Sequence, residues 1–442
     1  KIDKTITNDP HDFSKTTVSN IPVFYKQFDI APCIHIRIVF KYGAKHDPVG
    51  KEGVAHFLEH MLFRGTNLFE TEKDVENFKK NITLGTLNAH TGIFELVLKA
   101  KCLPYNLEKT LEGLMSMVTS PTLRENDFTE EKKIILDEAW RRFKNEKQIA
   151  YTKKLRASRL SNLPDRQRIV SALGWPDTIE KITHQDVLDA YKKNLVRENI
   201  SFFFAGNLEL VGGIEPIKTK LESYIASIPN GERATAPHIP GSITPPTVAV
   251  FDNTYTDIGL SDKKQTSIDL AYTFPRIAKQ QDDIASSEEE LLIAALAITS
   301  RLTGDIVYEK LRIDNSWCYS AGSSFGVEPE YLRLDIKAEL RPDHADEAIQ
   351  ICKNILQEIR DGKHKERFDQ VKTLVIESTL AGERLTYDTI SSVVDDYIHE
   401  NQILTEKKAL TVYNTVRFED VQNFIKEYIT PERLQLEILR PD

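Results

Sequence analysis

The sequence predicts an α+β fold of two tandem homologous domains, each a mostly antiparallel β-sheet packed with helices. Three observations carry this. Short runs of period-two hydrophobicity alternate with longer amphipathic stretches. Landmarks of the first half recur in the second at offsets drifting from 240 (Asp127-Phe128 and Arg367-Phe368) to 234 (Asp186-Val187 and Asp420-Val421). Small insertions and deletions leave that drift in a duplicated chain. Between the halves, residues 229–246 lose periodicity and gather Pro229, Gly231, Pro237, Pro240, Gly241, Pro245 and Pro246. The predicted domains are residues 1–228 and 247–442, with a linker over 229–246.

The elements follow in order. Residues 1–20 are polar and irregular. Ile34, Ile36, Ile38 and Phe40 alternate with His35, Arg37 and Lys41, predicting a half-buried strand. Asp47-Pro48 marks a turn, and a helix is predicted from Gly50 to Arg64, ended by Gly65. A short helix over Thr71–Lys80 precedes a strand through Phe94, Leu96 and Leu98. Pro104 opens an amphipathic helix that stops by Pro121, and the next helix spans Phe128–Trp140. Residues 146–170 are basic and helical in pattern, and Thr183 with Asp186 forms a capping box. Ile200–Asn207 is a strand running into a turn, followed by a helix over Ile217–Ile228. In the second half, Arg341-Pro342 repeats Leu103-Pro104.

Bulk properties exclude some functions. With 40% apolar and 28% charged residues, the chain reads as soluble and globular. No apolar run approaches the ~20 residues that span a bilayer, so no membrane span is expected. A net charge of −9 with interspersed signs argues against nucleic acid as a partner. Cys33, Cys102, Cys318 and Cys352 form no C-x-x-C pair, so a reducing compartment is expected and the localisation is read as cytoplasmic. A leader for the periplasm or an organelle, removed before Lys1, is compatible with this numbering.

Chemistry concentrates in His56-Phe57-Leu58-Glu59-His60. On a helix His56 and His60 stand about 40° apart on one face, so both imidazoles reach one metal ion. Glu59 reaches a water on the same ion, which is the H-x-x-E-H arrangement. The surrounding helix is apolar over most of its surface, so these ionisable groups need partners. A hydrolytic zinc site needs a third protein ligand and an open position. The helix over Phe128–Trp140 offers one, because Glu131 and Glu138 share a face within about 20° together with Ile134 and Ile135. Glu138 is the best third ligand, whereas Asp137 points about 100° away. Glu131 holds the ligand helix or the water through hydrogen bonds. Zinc in such a site lowers the pKa of a water to ~7 and polarises a carbonyl, and Glu59 takes the water's proton and passes it to the leaving amine. The second half has no histidine pair in the corresponding stretch Leu291–Arg301 and carries Ser378 opposite Glu138.

H-x-x-E-H followed some 75 residues later by E-x6-E resembles the peptidase M16 family, the pitrilysin or inverzincin group of zinc metallopeptidases. The resemblance covers nearly the whole chain and is similar to the group's half-molecule, processing-peptidase type of subunit. It implies a metallohydrolase fold of the LuxS and mitochondrial-processing-peptidase type. It implies one Zn2+ per catalytic domain on His56, His60 and Glu138, with Glu59 as the base and Glu131 in support. The stretch Gly85-Thr86-Leu87-Asn88-Ala89-His90-Thr91 resembles the family's cleft edge, which implies that Asn88 and Ala89 help hold substrate. Leu311 to Ser320 resembles a stretch in which an Arg and a Tyr bind substrate backbone and help stabilise the oxyanion, and Arg312 and Tyr319 fit them. Ile313-Asp314-Asn315 departs from the family's pattern between the two.

The resemblance implies an endopeptidase acting on extended peptides or unfolded polypeptides inside a clamshell chamber. It implies a homodimer, or a heterodimer with a related subunit, in which Arg312 and Tyr319 of one chain face His56 of the other. The alternative is a non-catalytic or partner-dependent subunit. Such members lose part of H-x-x-E-H or the distal Glu, and this chain keeps both.

Overall fold

The computed structural model describes residues 9–161, 163, 169–237, 249–277, 284–381 and 386–442. The first half runs β1 (Ser14–Val18), β2 (Ile21–Gln27), β3 (Ile34–Phe40), α1 (Val54–Met61), α2 (Glu72–Asn81), β4 (Asn88–Thr91), β5 (Leu96–Cys102), α3 (Leu107–Thr119), α4 (Glu125–Phe143), α5 (Glu146–Leu160), α6 (Pro176–Ile179), α7 (His184–Asn194), β6 (Ile200–Gly206) and α8 (Ile214–Ile225). The second runs β7 (Ala249–Thr254), β8 (Thr266–Pro275), α9 (Ser287–Tyr308), β9 (Cys318–Val327), β10 (Tyr331–Leu340), α10 (Ala345–Arg360), α11 (Lys365–Ala381), α12 (Thr386–Glu400), α13 (Glu406–Thr415), α14 (Phe418–Tyr428) and β11 (Leu434–Arg440). Residues 229–237 of the predicted linker carry no helix or strand, and its remainder lies outside the described residues.

The two sheets have one plan. Strand order β2-β6-β3-β5-β4 in the first matches β7-β11-β8-β10-β9 in the second. In each, the strand nearest the domain's end runs parallel to the first of these strands and antiparallel to the next (β6 with β2 and β3, β11 with β7 and β8). The fold is α+β with mostly antiparallel sheets. The first sheet adds β1, a stretch expected to be irregular because it is polar. Ser19 and Asn20 both adopt positive φ and form a two-residue hairpin that folds this polar edge strand back onto β2.

One face of each sheet carries its own helices. In the first half, Ile36, Ile38, Phe202 and Phe204 pack with Phe57, Leu58, Leu111 and Leu221. The opposite face is covered by the other half. Ile390, Val393, Val394 and Ile398 of α12 pack on Phe24, Val39, Val97 and Phe203. This corrects the expectation of a half-buried β3, in which Arg37 and Val39 are buried as fully as Ile36. Reciprocally, α5 lies on the second sheet. Tyr151 donates to Glu437 at 2.7 Å, Arg159 to Asp269 at 2.7 Å, and Gln435 to the Ser158 carbonyl at 2.7 Å. The two halves thus exchange one helix each.

The expectation that no segment has the length and apolar character of a membrane span also needs correction. Ser287–Asp314 passes on length and composition, and 67% of its apolar window is buried. Leu296, Ile298, Leu302 and Ile306 sit in the second core, so it is built as the central helix of that core.

Candidate active site

Helix α1 is placed by its N-terminus. Asp47, fully buried, accepts hydrogen bonds from the backbone N–H groups of Gly53 (2.7 Å) and Ala55 (2.8 Å), which neutralises part of the helix's positive end. Gly53 has φ of +112°, and a Cβ there would meet Gly174 Cα and the Leu173 carbonyl at 3.2 Å, so only glycine fits. Phe57 stacks on Phe128 at 4.6 Å between centroids, fixing α1 against α4. Arg64 just beyond α1 pairs with Glu72 and Glu130 at 2.6 Å each, and with Glu131 at 3.4 Å.

This frame brings His56, His60 and Glu138 together, with one ligand atom from each lying within 4.8 Å of the others. The two Nε2 atoms are 3.2 Å apart. Oε2 of Glu138 is 4.0 Å from Nε2 of His56 and 3.7 Å from Nε2 of His60. Glu131 is buried behind them, with Oε1 2.7 Å from Nδ1 of His60. Glu59 receives a hydrogen bond from the Thr91 hydroxyl at 2.6 Å. His56, Glu59, Thr91 and Glu138 line a cavity of about 420 Å³ whose walls include Ala89, His90, Arg142 and Arg156.

On α4, Glu131 and Ile135 are buried and Glu138 is 42% exposed at its side chain. Ile134, expected on the same buried face, is largely exposed, because it lies about 40° farther round the helix than Glu138 toward solvent.

The electrostatics differ sharply across one turn. Burial, and then the neighbouring His60, push His56 down to about 3, so its ring is neutral. Burial also opposes charge on His60, but the Glu131 hydrogen bond and the carboxylates of Glu131, Glu59 and Glu138 outweigh it and raise its pKa. Burial raises the Glu59 carboxyl as well, against the Thr91 hydrogen bond. The field at His60 therefore favours positive charge. Two facing imidazole nitrogens and a carboxylate in that field make a nitrogen–oxygen donor set suited to Zn2+. His56 Nδ1 is buried without a hydrogen-bond partner among the described residues.

The remaining predicted residues are placed as follows. Ala89 reaches the cavity wall. Asn88 points to the opposite face of β4 and lines a separate groove. Arg312 lies in a π-helical turn, Glu309–Asp314, that continues α9. Its guanidinium bonds the Cys318 carbonyl at 3.2 Å and stacks on the Tyr319 ring at 5.5 Å. Tyr319 is 80% exposed, and neither residue lines the His56 cavity. The altered Ile313-Asp314-Asn315 stretch keeps Arg312 and Tyr319 adjacent. Sequence reasoning missed Asp47 as the cap of α1 and Thr91 as the partner of Glu59. The second had a signal, since Thr91 closes the Gly-x-x-Asn-Ala-x-Thr stretch.

Residues 25–169 match the family model "Insulinase (Peptidase family M16)", and residues 181–375 match "Peptidase M16 inactive domain". An uncharacterized zinc protease of Rickettsia bellii (strain RML369-C) is 28% identical over 201 residues, 46% of each chain. The probable zinc protease PqqL of Escherichia coli (strain K12) is 23% identical over 388 residues, 85% of this chain and 38% of that one. The mitochondrial-processing peptidase subunit beta of Homo sapiens is 29% identical over 150 residues, 33% of this chain and 29% of that one. The chain thus spans less than half the length of the relatives it matches. Among solved structures, the periplasmic protease PqqL from Escherichia coli superposes with a TM-score of 0.79 at 15% identity, over 99% of this chain and 48% of that chain. A protease from Helicobacter pylori gives 0.77 at 17% identity, over 97% of this chain and all of that chain. With both its halves matched in tandem and H-x-x-E-H folded against the E-x6-E helix, the chain belongs to peptidase family M16.

Proposed function

We propose that this chain is a zinc-dependent endopeptidase that hydrolyses extended peptides. The observation that carries the reading is the convergence of His56 Nε2, His60 Nε2 and Glu138 Oε2 at a cavity lined by His56, Glu59 and Glu138. His56, His60 and Glu138 would hold the ion, which supplies Lewis acidity when bound.

The chain's own residues do the rest. Glu131 accepts the Nδ1 proton of His60 and thereby keeps the Nε2 lone pair aimed toward His56 and Glu138. Thr91 occupies Oε2 of Glu59 and holds the carboxylate at the cavity wall. Glu59, its basicity raised by burial, takes a proton from the attacking water and delivers it to the leaving amine. Among the described residues, strand β4 pairs only with β5, which leaves its second edge for a substrate backbone to add as a strand.

The test is metal content of the purified chain together with cleavage of an unstructured peptide. Glu59→Gln should keep zinc and lose turnover, and Glu138→Gln should lose metal affinity. Full activity in Glu59→Gln would sink the assignment of the base.

A second reading, in which the site is completed by another subunit, is favoured by one observation. Arg312 and Tyr319 stack together at an exposed position away from the His56 cavity. A Glu59→Gln chain mixed with an Arg312→Ala chain should then regain activity. No recovery would count against shared sites.

A further inference from the structure

The face of the first sheet turned away from α1 carries a row of positive charge that the proposed chemistry does not use. In the ladder of β3 with β5, Arg37 stands opposite Lys99 and His35 opposite Lys101. In the ladder of β5 with β4, Lys99 stands opposite Asn88. Directly opposed like charges destabilise a sheet. Arg37 is only 4% exposed, and its guanidinium lies under the Tyr387 ring at 5.2 Å. Nη1 donates to the Ile36 carbonyl at 3.0 Å, while Nη2 is buried with no hydrogen-bond partner. Among the described residues, none of Arg37, Lys99 and Lys101 pairs with a carboxylate. All three line a groove of about 360 Å³ together with His35, Asn88 and Tyr387.

A buried guanidinium with an unused donor, beside two unpaired ammonium groups, is an oxyanion receptor. The strain of the crowding shows in the neighbours. Burial, then Arg37 and Lys101, drive His35 down to about 4, and burial draws Arg37 down to about 10.

Resting on the peptidase reading, we propose that this groove binds acidic side chains of the peptide substrate and sets a preference for them. A peptide strand added to the open edge of β4 would extend the row Arg37–Lys99–Asn88 by one residue. That residue stands about three positions, ~10 Å, along the strand from the one opposite Thr91, whose hydroxyl holds Glu59. Acidic residues on one side of the scissile bond therefore meet the groove while the backbone stays at the cavity.

The test uses the full chain and reads binding, so it needs no turnover. Two unstructured peptides of equal length, one carrying Glu and one Gln throughout that side, are titrated by fluorescence anisotropy at fixed ionic strength. The Glu peptide is expected to bind about tenfold tighter or more, as charge-assisted hydrogen bonds give. In the Lys99→Gln/Lys101→Gln double variant, that ratio should fall to about twofold or less, with circular dichroism unchanged. Equal affinities in the unaltered chain, or an unchanged ratio in the double variant, overturns the proposal. Inorganic phosphate binding more tightly than the Glu peptide assigns the groove to a free anion and overturns it too. A chain that binds the Glu peptide and cleaves nothing refutes the peptidase reading alone. Cleavage without acidic preference refutes only the groove.

Discussion

Nδ1 of His60 stands 2.7 Å from Oε1 of Glu131, while Nε2 of the same ring faces His56 at 3.2 Å. One imidazole thus joins a buried carboxylate on α4 to the His56-bearing face of α1. Glu131→Gln should preserve the fold yet weaken zinc binding about 10- to 100-fold, as loss of a hydrogen-bonded partner to a metal-ligating histidine does. Competition with a chelator measures it, and unchanged affinity would remove Glu131 from the site.

Glu59→Gln is expected to lower kcat by about 10²- to 10⁴-fold with metal content unchanged. Single-turnover cleavage paired with metal analysis separates this from loss of the ion. Thr91→Val should give a smaller loss, since it frees Glu59 to turn without removing it.

Arg276 joins β8 to α9 and α12. It donates to Glu289 at 2.5 Å and to both oxygens of Glu400 at 2.8 and 2.7 Å, and all three side chains are buried. Arg276→Leu leaves two carboxylates without their shared cation, and a loss of about 3–5 kcal/mol is expected in urea unfolding. Zinc affinity should hold in the folded fraction.

Asp396 on α12 supplies a pH dependence remote from the metal helices. Burial pushes its carboxyl from 3.8 up to about 7, against the Leu404 N–H bond at 3.1 Å. Between those values the folded chain keeps a proton that the unfolded chain has released. Stability from this group is therefore lost as pH rises through that window, by on the order of 4 kcal/mol. Asp396→Asn should raise the Tm at about pH 8 and leave it unchanged at about pH 4. A Tm gain that is equal at both would contradict the assignment.

The exchanged helices predict that neither half stands alone. Residues 1–237 expressed without α12 would expose Phe24, Val39, Val97 and Phe203. That fragment should bind a hydrophobic dye and aggregate, and co-expression with residues 238–442 should restore a soluble complex. A monomeric, dye-silent first half would show that α12 is dispensable.

The candidate metal site was legible because helical geometry is local. A spacing of four brings His56 and His60 together and a spacing of seven brings Glu131 and Glu138 together, whatever the rest of the chain does. The duplication was legible because turn residues and caps repeat at nearly constant offset. What stayed hidden depends on elements distant in sequence. Nothing in Ile34–Phe40 shows that a helix near residue 390 covers its second face, so Arg37 read as a solvated residue. Ile134 read as buried because its side of α4 is bounded by tertiary packing rather than by pattern. Asn88 and Ala89 read as one substrate edge, yet consecutive strand residues point to opposite faces, and only Ala89 meets the cavity.

The crossing of α5 and α12 has a bearing on how such a duplicated chain can diverge. A copy that sheds its metal ligands gives up chemistry without loosening its hold on the other copy, since the contacts that bind them lie on other helices. Drift is therefore permitted where Leu291–Arg301 replaces the histidine pair and resisted at Ile390, Val393, Val394 and Ile398. The copy without the histidine pair persists as a structural obligation of the copy that carries it.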